Sequence, residues 1–169
     1  MAGVPSGRPS VAVRPLDPRD APACDAIVAS LPYHFGDEHG REMCAAAVRE
    51  QAGFVAIARD APIAFLTWRP WYAAAAEITW LAVHADERRR GVGRRLVDAF
   101  FAEQGPDVRY AVVTTLSEAT PEPDVEDTYA GTREFWRRCG FEPVLDPAGW
   151  WSDANQAVVM IQPLLRLRR

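Results

Sequence analysis

Residues Glu77 to Leu96 read EITWLAVHADERRRGVGRRL, and the rest of the chain is organised around this stretch. It opens as an apolar run suited to a buried strand, crosses a short polar turn, and ends in glycines that start an amphipathic helix. The first N–H groups of a helix have no intrahelical partner, and the helix dipole places partial positive charge there, so a pyrophosphate can be held by main chain alone. Arg88, Arg89, Arg90, Arg94 and Arg95 add formal positive charge at the same spot.

Two commoner glycine motifs do not fit. A Walker A loop ends in Gly-Lys-Ser/Thr, and the chain contains no lysine; a dinucleotide fingerprint needs a third glycine, where Gly91 and Gly93 are followed by Leu96. What remains is Arg88-x-x-Gly91-x-Gly93, preceded by a strand ending in Leu81-Ala82-Val83. This resembles the acetyl-coenzyme A signature of the GCN5-related N-acetyltransferase (GNAT) family, Arg/Gln-x-x-Gly-x-Gly/Ala. Downstream, Thr132-Arg133-Glu134-Phe135-Trp136-Arg137-Arg138-Cys139-Gly140-Phe141 resembles the family's final helix, Phe-Tyr-x-x-x-Gly-Phe, with Trp136 at the tyrosine position. Together with Thr115-Leu116-Ser117, Tyr129-x-x-Thr132 and the ending Val159-Met160-Ile161, the chain is similar to an uncharacterised bacterial branch of that family. The likeness is weakest over residues 1–10 and 146–155.

The resemblance implies an α/β (α+β) fold: a mixed, mostly antiparallel central sheet flanked by helices, with the fourth and fifth strands splayed apart to admit the cofactor. Composition agrees with a single globular unit. A chain of 169 residues, 49% apolar and 25% charged, is long enough for one sizeable core and short for two domains. We expect a polar tail over residues 1–10 and one N-acetyltransferase domain over 11–169. No segment is apolar over a membrane-spanning length, and MAGVPSGRPS has no apolar run that could serve as a signal, so a cytoplasmic protein is expected. Cys24, Cys44 and Cys139 are widely spaced in apolar contexts, which suits small buried residues rather than bridges or metal ligands. No metal is expected. A net charge of −4 argues against a nucleic-acid partner, which needs a basic face along the phosphate track. A homodimer stays open.

Strands are expected over 11–16, 54–58, 63–68, from Glu77 to Val83, over 108–116 and over 158–161. Helices are expected from Asp20, as N-cap, to about Ser30, over 37–50 with Met43, Ala46 and Ala47 on the apolar side, from Gly93 to Gln104, and over 129–139. Residues 70–75 read as a link.

Acetyl transfer from a thioester to an amine needs a neutral amine, a polarised carbonyl and a stabilised thiolate. The resemblance places main chain of Leu81, Ala82 and Val83 on the acetyl and pantetheine part of acetyl-coenzyme A. It places Arg88, Arg89, Arg90, Gly91, Val92, Gly93 and Arg94 on the pyrophosphate. Glu77 is the candidate base, and strict strand alternation would set it on one face with Thr79, Leu81 and Val83; the alternative is a carboxylate that only orients an ammonium. Trp136 has no acidic O–H, so Tyr129 is the substitute acid, while Trp136 lies against the pantetheine or in the core. Tyr33, His34 and Phe35, with Asp37, Glu38 and the acidic loop bearing Glu118, Glu122, Asp124, Glu126 and Asp127, are candidates for binding the acceptor. Trp68, Trp71, Trp150 and Trp151 are candidates for an aromatic wall or for core. The expected activity is transfer to a small-molecule primary amine. A protein lysine or N-terminal acceptor, and a non-catalytic coenzyme A-binding regulator, are the alternatives.

Overall fold

The computed structural model describes residues 10–118, 127–147, 149–151 and 156–164. Its elements are β1 (Ala12–Pro15), α1 (Ala21–Ala29), α2 (Glu38–Glu50), β2 (Ala52–Ala58), β3 (Ala61–Tyr72), β4 (Ala75–Val83), α3 (Val92–Glu103), β5 (Tyr110–Leu116), α4 (Ala130–Arg138), β6 (Glu142–Leu145) and β7 (Ala157–Pro163). The strands form a seven-stranded sheet in the order β1-β2-β3-β4-β5-β7-β6. Every pair is antiparallel except β4–β5. A parallel neighbour requires a crossover, and α3 is that crossover.

Each face of the sheet carries its own core. Val92, Leu96, Val97 and Phe100 recur at helical spacing along α3 and pack with Trp136 of α4 and Cys139 just after it on Leu66, Ile78, Val113 and Met160. On the opposite face Cys24, Ile27 and Val28 of α1 and Cys44 and Val48 of α2 cover Val55, Phe65 and Ala82. Burial pushes the thiols of Cys24 and Cys44 up to about 12 and that of Cys139 up to about 11, so all three are protonated, inert filling. No helix among the described residues is long and apolar enough to cross a membrane.

Several local expectations are corrected. The buried side of α2 is Cys44, Ala47 and Val48, while Met43 faces solvent. Asp20 occupies the N-cap position of α1 as expected, but its side chain makes no capping bond; its carboxylate takes two bonds from Arg14, both 2.7 Å, and one from the Asp17 amide at 3.0 Å, and Asp17 caps the 3-10 turn before it. Residues 70–72 are not a link but the end of β3, in register with β4 through Arg69↔Glu77 and Pro70↔Ala76. β6, short and exposed, carries no alternating pattern and was not anticipated. The tail expected over residues 1–10 falls on residues 1–9 outside the described part.

β4 holds the irregularity that matters for the site. Thr67 faces Trp80 but Trp68 faces Ile78, so Thr79 is an extra residue on β4, a β-bulge. Before it, Ala76 and Ile78 point into the α3/α4 core; after it, Leu81 and Val83 do. Trp80 and Ala82 belong to the α1/α2 side, and Thr79 bonds Thr67 (2.8 Å) and Gln51 at the end of α2 (2.5 Å) on that side too. Glu77 therefore shares a face with Thr79, Trp80 and Ala82, not with Leu81 and Val83 as strict alternation had it.

Candidate functional site

β4 and β5 are paired over only four rungs, from Ala75↔Tyr110 to Ile78↔Val113. Both strands run on, to Val83 and Leu116, without pairing to each other. Thr79–Val83 and Thr114–Leu116 thus flank a cleft whose edges present main-chain groups that no β4–β5 ladder satisfies. The bulge at Thr79 starts this divergence. It turns Leu81 and Val83 inward to the α3/α4 core while their main chain remains along the cleft.

The turn from β4 into α3 lies at the end of the same strand. Arg89 and Gly91 both have left-handed backbones, φ +61° and +76°. Gly91 is the N-cap of α3 and supplies no side-chain cap; the first intrahelical bond runs from the Arg95 amide to the Gly91 carbonyl at 3.3 Å. The amides of Val92, Gly93 and Arg94 are left for an anion.

The two glycines are required for different reasons. A Cβ on Gly91 would meet nothing within 4 Å, so its backbone angle is the constraint; a Cβ on Gly93 would meet the Phe135 ring at 3.2 Å and Leu81 at 3.6 Å, so there the constraint is close packing of α3 on α4. Among the arginines, Arg88 and Arg89 are exposed and form no ion pair among the described residues. Arg90 pairs with Glu87 at 2.7 Å, Arg94 with Asp98 at 2.8 Å, and Arg95 donates to the Val11 carbonyl at 2.9 Å on the β1 side. This cradle fits a nucleotide-linked pyrophosphate, and the cleft edge fits an extended amide-bearing arm.

Glu77 sits one rung before the strands part, on the α1/α2 face. Its side chain is 12% exposed, and Oε2 receives both Nε and Nη2 of Arg69 at 2.8 Å across β3–β4. Arg69, with a side chain 55% exposed, forms the rim above it. Thr79, Gln51 and Thr67 continue this polar strip along the same face.

The loop before α2 approaches from above. Tyr129, at the N-terminus of α4, donates its O–H to the His34 carbonyl at 2.8 Å, and the two rings lie 5.4 Å apart. Burial raises the phenol's pKa above its ordinary value. The His34 imidazole is held below its usual pKa, first by burial and then by the charge of Arg88, so it is neutral at pH 7. Phe35 stands 5.9 Å from Trp80. His34, Phe35, Trp80 and Tyr129 form one wall, tied together across 95 residues of sequence.

Other candidates lie elsewhere. Tyr33 is 82% exposed and outside the wall. Trp136 is a core residue, 4% exposed, with its ring edge-on to Phe141 at 5.2 Å and Phe135 at 4.9 Å; a place on the pantetheine is not where its side chain goes. Asp37 caps α2 by accepting from the Gly40 amide at 2.7 Å, while Glu38 lies exposed on that helix's first turn. Glu118 and Asp127 are bound by the buried Arg133, which also donates to the Leu116 carbonyl at 3.0 Å, and Arg137 joins Glu118 at 2.7 Å. Glu122, Asp124 and Glu126 lie outside the described residues. Trp68 packs edge-on to Phe100, Trp71 meets Tyr72, and Trp150 and Trp151 are about half exposed, so no aromatic wall gathers these four. No group of three potential metal ligands occurs among the described residues.

Three participants escaped the sequence reading: Arg69, Gln51 and Arg133. A two-residue turn at Ala73-Ala74 would put Pro70 opposite Glu77; the extra residue Trp71 on β3 shifts the register so that Arg69 stands there instead. Gln51 and Arg133 act through contacts that no local pattern encodes.

A family model for the acetyltransferase (GNAT) domain matches residues 46–143. Among curated proteins no sequence matches the chain. Solved structures match in fold. A GNAT-family protein from Desulfovibrio desulfuricans superposes with a TM-score of 0.78 at 18% identity, covering 92% of this chain and 100% of its own. The ribosomal-protein-S18-alanine N-acetyltransferase from Escherichia coli gives 0.72 at 17%, covering 95% and 97%. A GNAT family acetyltransferase from Elizabethkingia anophelis with acetyl-CoA bound gives 0.66 at 12%, covering 90% and 97%.

Proposed function

Since the chain belongs to the GNAT acetyltransferase family, we propose that it is an N-acetyltransferase that moves the acetyl group of acetyl-coenzyme A to the primary amine of a small molecule. The observation that carries this reading is the parting of β4 and β5 after Ile78↔Val113, with the α3 cradle at one end and Glu77 at its mouth. Acetyl-coenzyme A supplies an activated thioester. The chain's residues bind it, position the amine and move one proton.

In this reading the N–H groups of Val92, Gly93 and Arg94, with Arg88 and Arg89, hold the pyrophosphate, and the free edge of Leu81–Val83 holds the pantetheine arm. Arg90 keeps the turn in shape through Glu87 rather than by touching phosphate. The amine attacks the thioester carbon, the N–C bond forms, the C–S bond breaks, and one amine proton is transferred in balance to the departing thiolate. An alkylammonium has a pKa near 10.4, so presenting a neutral amine at pH 7 costs about 5 kcal/mol. A carboxylate at the site lowers that barrier by taking the proton, and Glu77 Oε1 is the atom assigned to it. The Tyr129 hydroxyl is committed to the His34 carbonyl, so we assign Tyr129 to holding the acceptor wall. The departing thiolate takes up the N–H proton that the attacking nitrogen loses, and no side chain is assigned as its acid.

One observation favours a second reading. Trp136 fills the core where the family motif has a hydroxyl, which suits a coenzyme A-binding regulator without turnover. Release of free thiol from acetyl-coenzyme A over a panel of amines separates the two: amine-dependent release supports the enzyme, and saturable binding without release from any amine supports the regulator.

A further inference from the structure

We infer that the acceptor is an amine bearing its own carboxylate, an α-amino acid, read by Arg69 and Glu77 as a pair. This rests on the acetyltransferase reading above and specifies its substrate. Glu77 is nearly covered and lies one rung before β4 and β5 part, whereas Arg69 is more than half exposed and forms the rim above it. Both Nε and Nη2 of Arg69 converge on Oε2; Nη1 of Arg69 and Oε1 of Glu77 have no partner among the described residues.

A bare amine entering as a cation would have to pass the guanidinium at the rim to reach the carboxylate below it, and like charges repel. A zwitterion avoids that conflict. Its ammonium takes Glu77 in the depth of the cleft, toward the thioester, and its carboxylate takes the planar fork of Arg69 at the rim, for which guanidinium is the matching donor. One ion pair is exchanged for two, with no net charge added to the site. The surroundings argue the same way. A polycationic acceptor needs several free carboxylates; among the described acidic candidates Asp37 is spent on the α2 cap, Glu118 and Asp127 are bound by Arg133 and Arg137, and Glu38 alone is exposed and unpaired. On the same face Phe35 and Trp80 stand 5.9 Å apart and offer an apolar surface for the substrate side chain. Glu77 takes one proton from the ammonium and passes it to solvent, the neutral α-nitrogen gains the acetyl group as the thioester C–S bond breaks, and the second N–H proton ends on the coenzyme A thiol.

The test uses the full chain, acetyl-coenzyme A, and matched acceptors: the twenty proteinogenic L-amino acids, their carboxamides, the corresponding decarboxylated amines, and spermidine and kanamycin as polycations. Thiol release is followed together with the mass of the acetylated product. At least one amino acid should be used with kcat/KM at least about 10-fold above its own carboxamide, a difference of about 1.4 kcal/mol. Arg69→Gln should bring that ratio toward one by raising KM for the acid, and Arg69→Lys, which keeps the charge, should restore part of it. A rim arginine with only a structural role would not change the ratio. Carboxamides, decarboxylated amines or polycations used as well as or better than every amino acid would overturn the inference while leaving the acetyltransferase reading intact. No release with any amine would overturn both.

Discussion

At the scale of single residues, the site depends on where one carboxylate and one hydroxyl point. Glu77→Gln keeps the shape and the bond to Arg69 while removing the proton acceptor. Turnover at pH 7 should fall by about 10²-fold or more and recover in part at alkaline pH, where the amine is neutral unaided. The dissociation constant for acetyl-coenzyme A, measured by calorimetry, should stay unchanged; equal turnover across pH would remove Glu77 from proton transfer. Tyr129→Phe removes only the bond to the His34 carbonyl. It should cost about 1 kcal/mol of stability and raise KM for the acceptor by loosening the wall. A large loss in kcat at unchanged KM would return Tyr129 to the role of acid. Glu77 and Tyr129 could be named as candidates through the family resemblance. Their partners could not, because Arg69 and His34 meet them through strand register and loop closure.

At the scale of elements, β4 and α3 together make the cradle. Gly91→Ala puts a Cβ on a left-handed residue and should cost about 1–2 kcal/mol, with weaker cofactor binding because the turn reshapes. Gly93→Ala drives a methyl into the Phe135 ring and should cost about 1–3 kcal/mol by overpacking. Paired urea titrations and cofactor calorimetry separate them: if Gly93→Ala affects stability no more than a surface substitution, the packing account of that glycine is wrong. The order of the elements around this cradle was legible, since the hairpin, the glycine-opened helix and the late strand each follow from period and turn residues. The orientation of β4 was not. Strict alternation misassigns Leu81 and Val83 because one extra residue, Thr79, flips the strand, and nothing in ITWLA marks where a bulge falls. β6 was missed for a related reason: with both faces exposed it has no period to detect.

At the scale of the whole molecule, two cores share one sheet, and the cleft opens where two long strands, β4 and β5, stay paired over only part of their length. Acetyl-coenzyme A at one hundred times its dissociation constant should therefore stabilise the fold by about 2.7 kcal/mol, raising Tm by roughly 5–10 °C for a chain of this size. Leu96→Ala, in the middle of the α3 core, should cost about 2–5 kcal/mol. The Arg14 guanidinium holds the Asp20 carboxyl below the usual carboxylate range, so its contribution to stability is full above about pH 3.9 and is lost as pH falls below that value. Arg14→Gln should flatten that acid limb in urea titrations run between pH 6 and 2.

The most direct measurement is amine-dependent release of coenzyme A thiol from acetyl-coenzyme A by the wild-type chain and by Glu77→Gln, side by side at pH 7. The account predicts release above the amine-free background for the wild type and its loss in the variant, with both proteins binding acetyl-coenzyme A equally. Tight binding of acetyl-coenzyme A with no release from any amine, or equal release by both proteins, would contradict it.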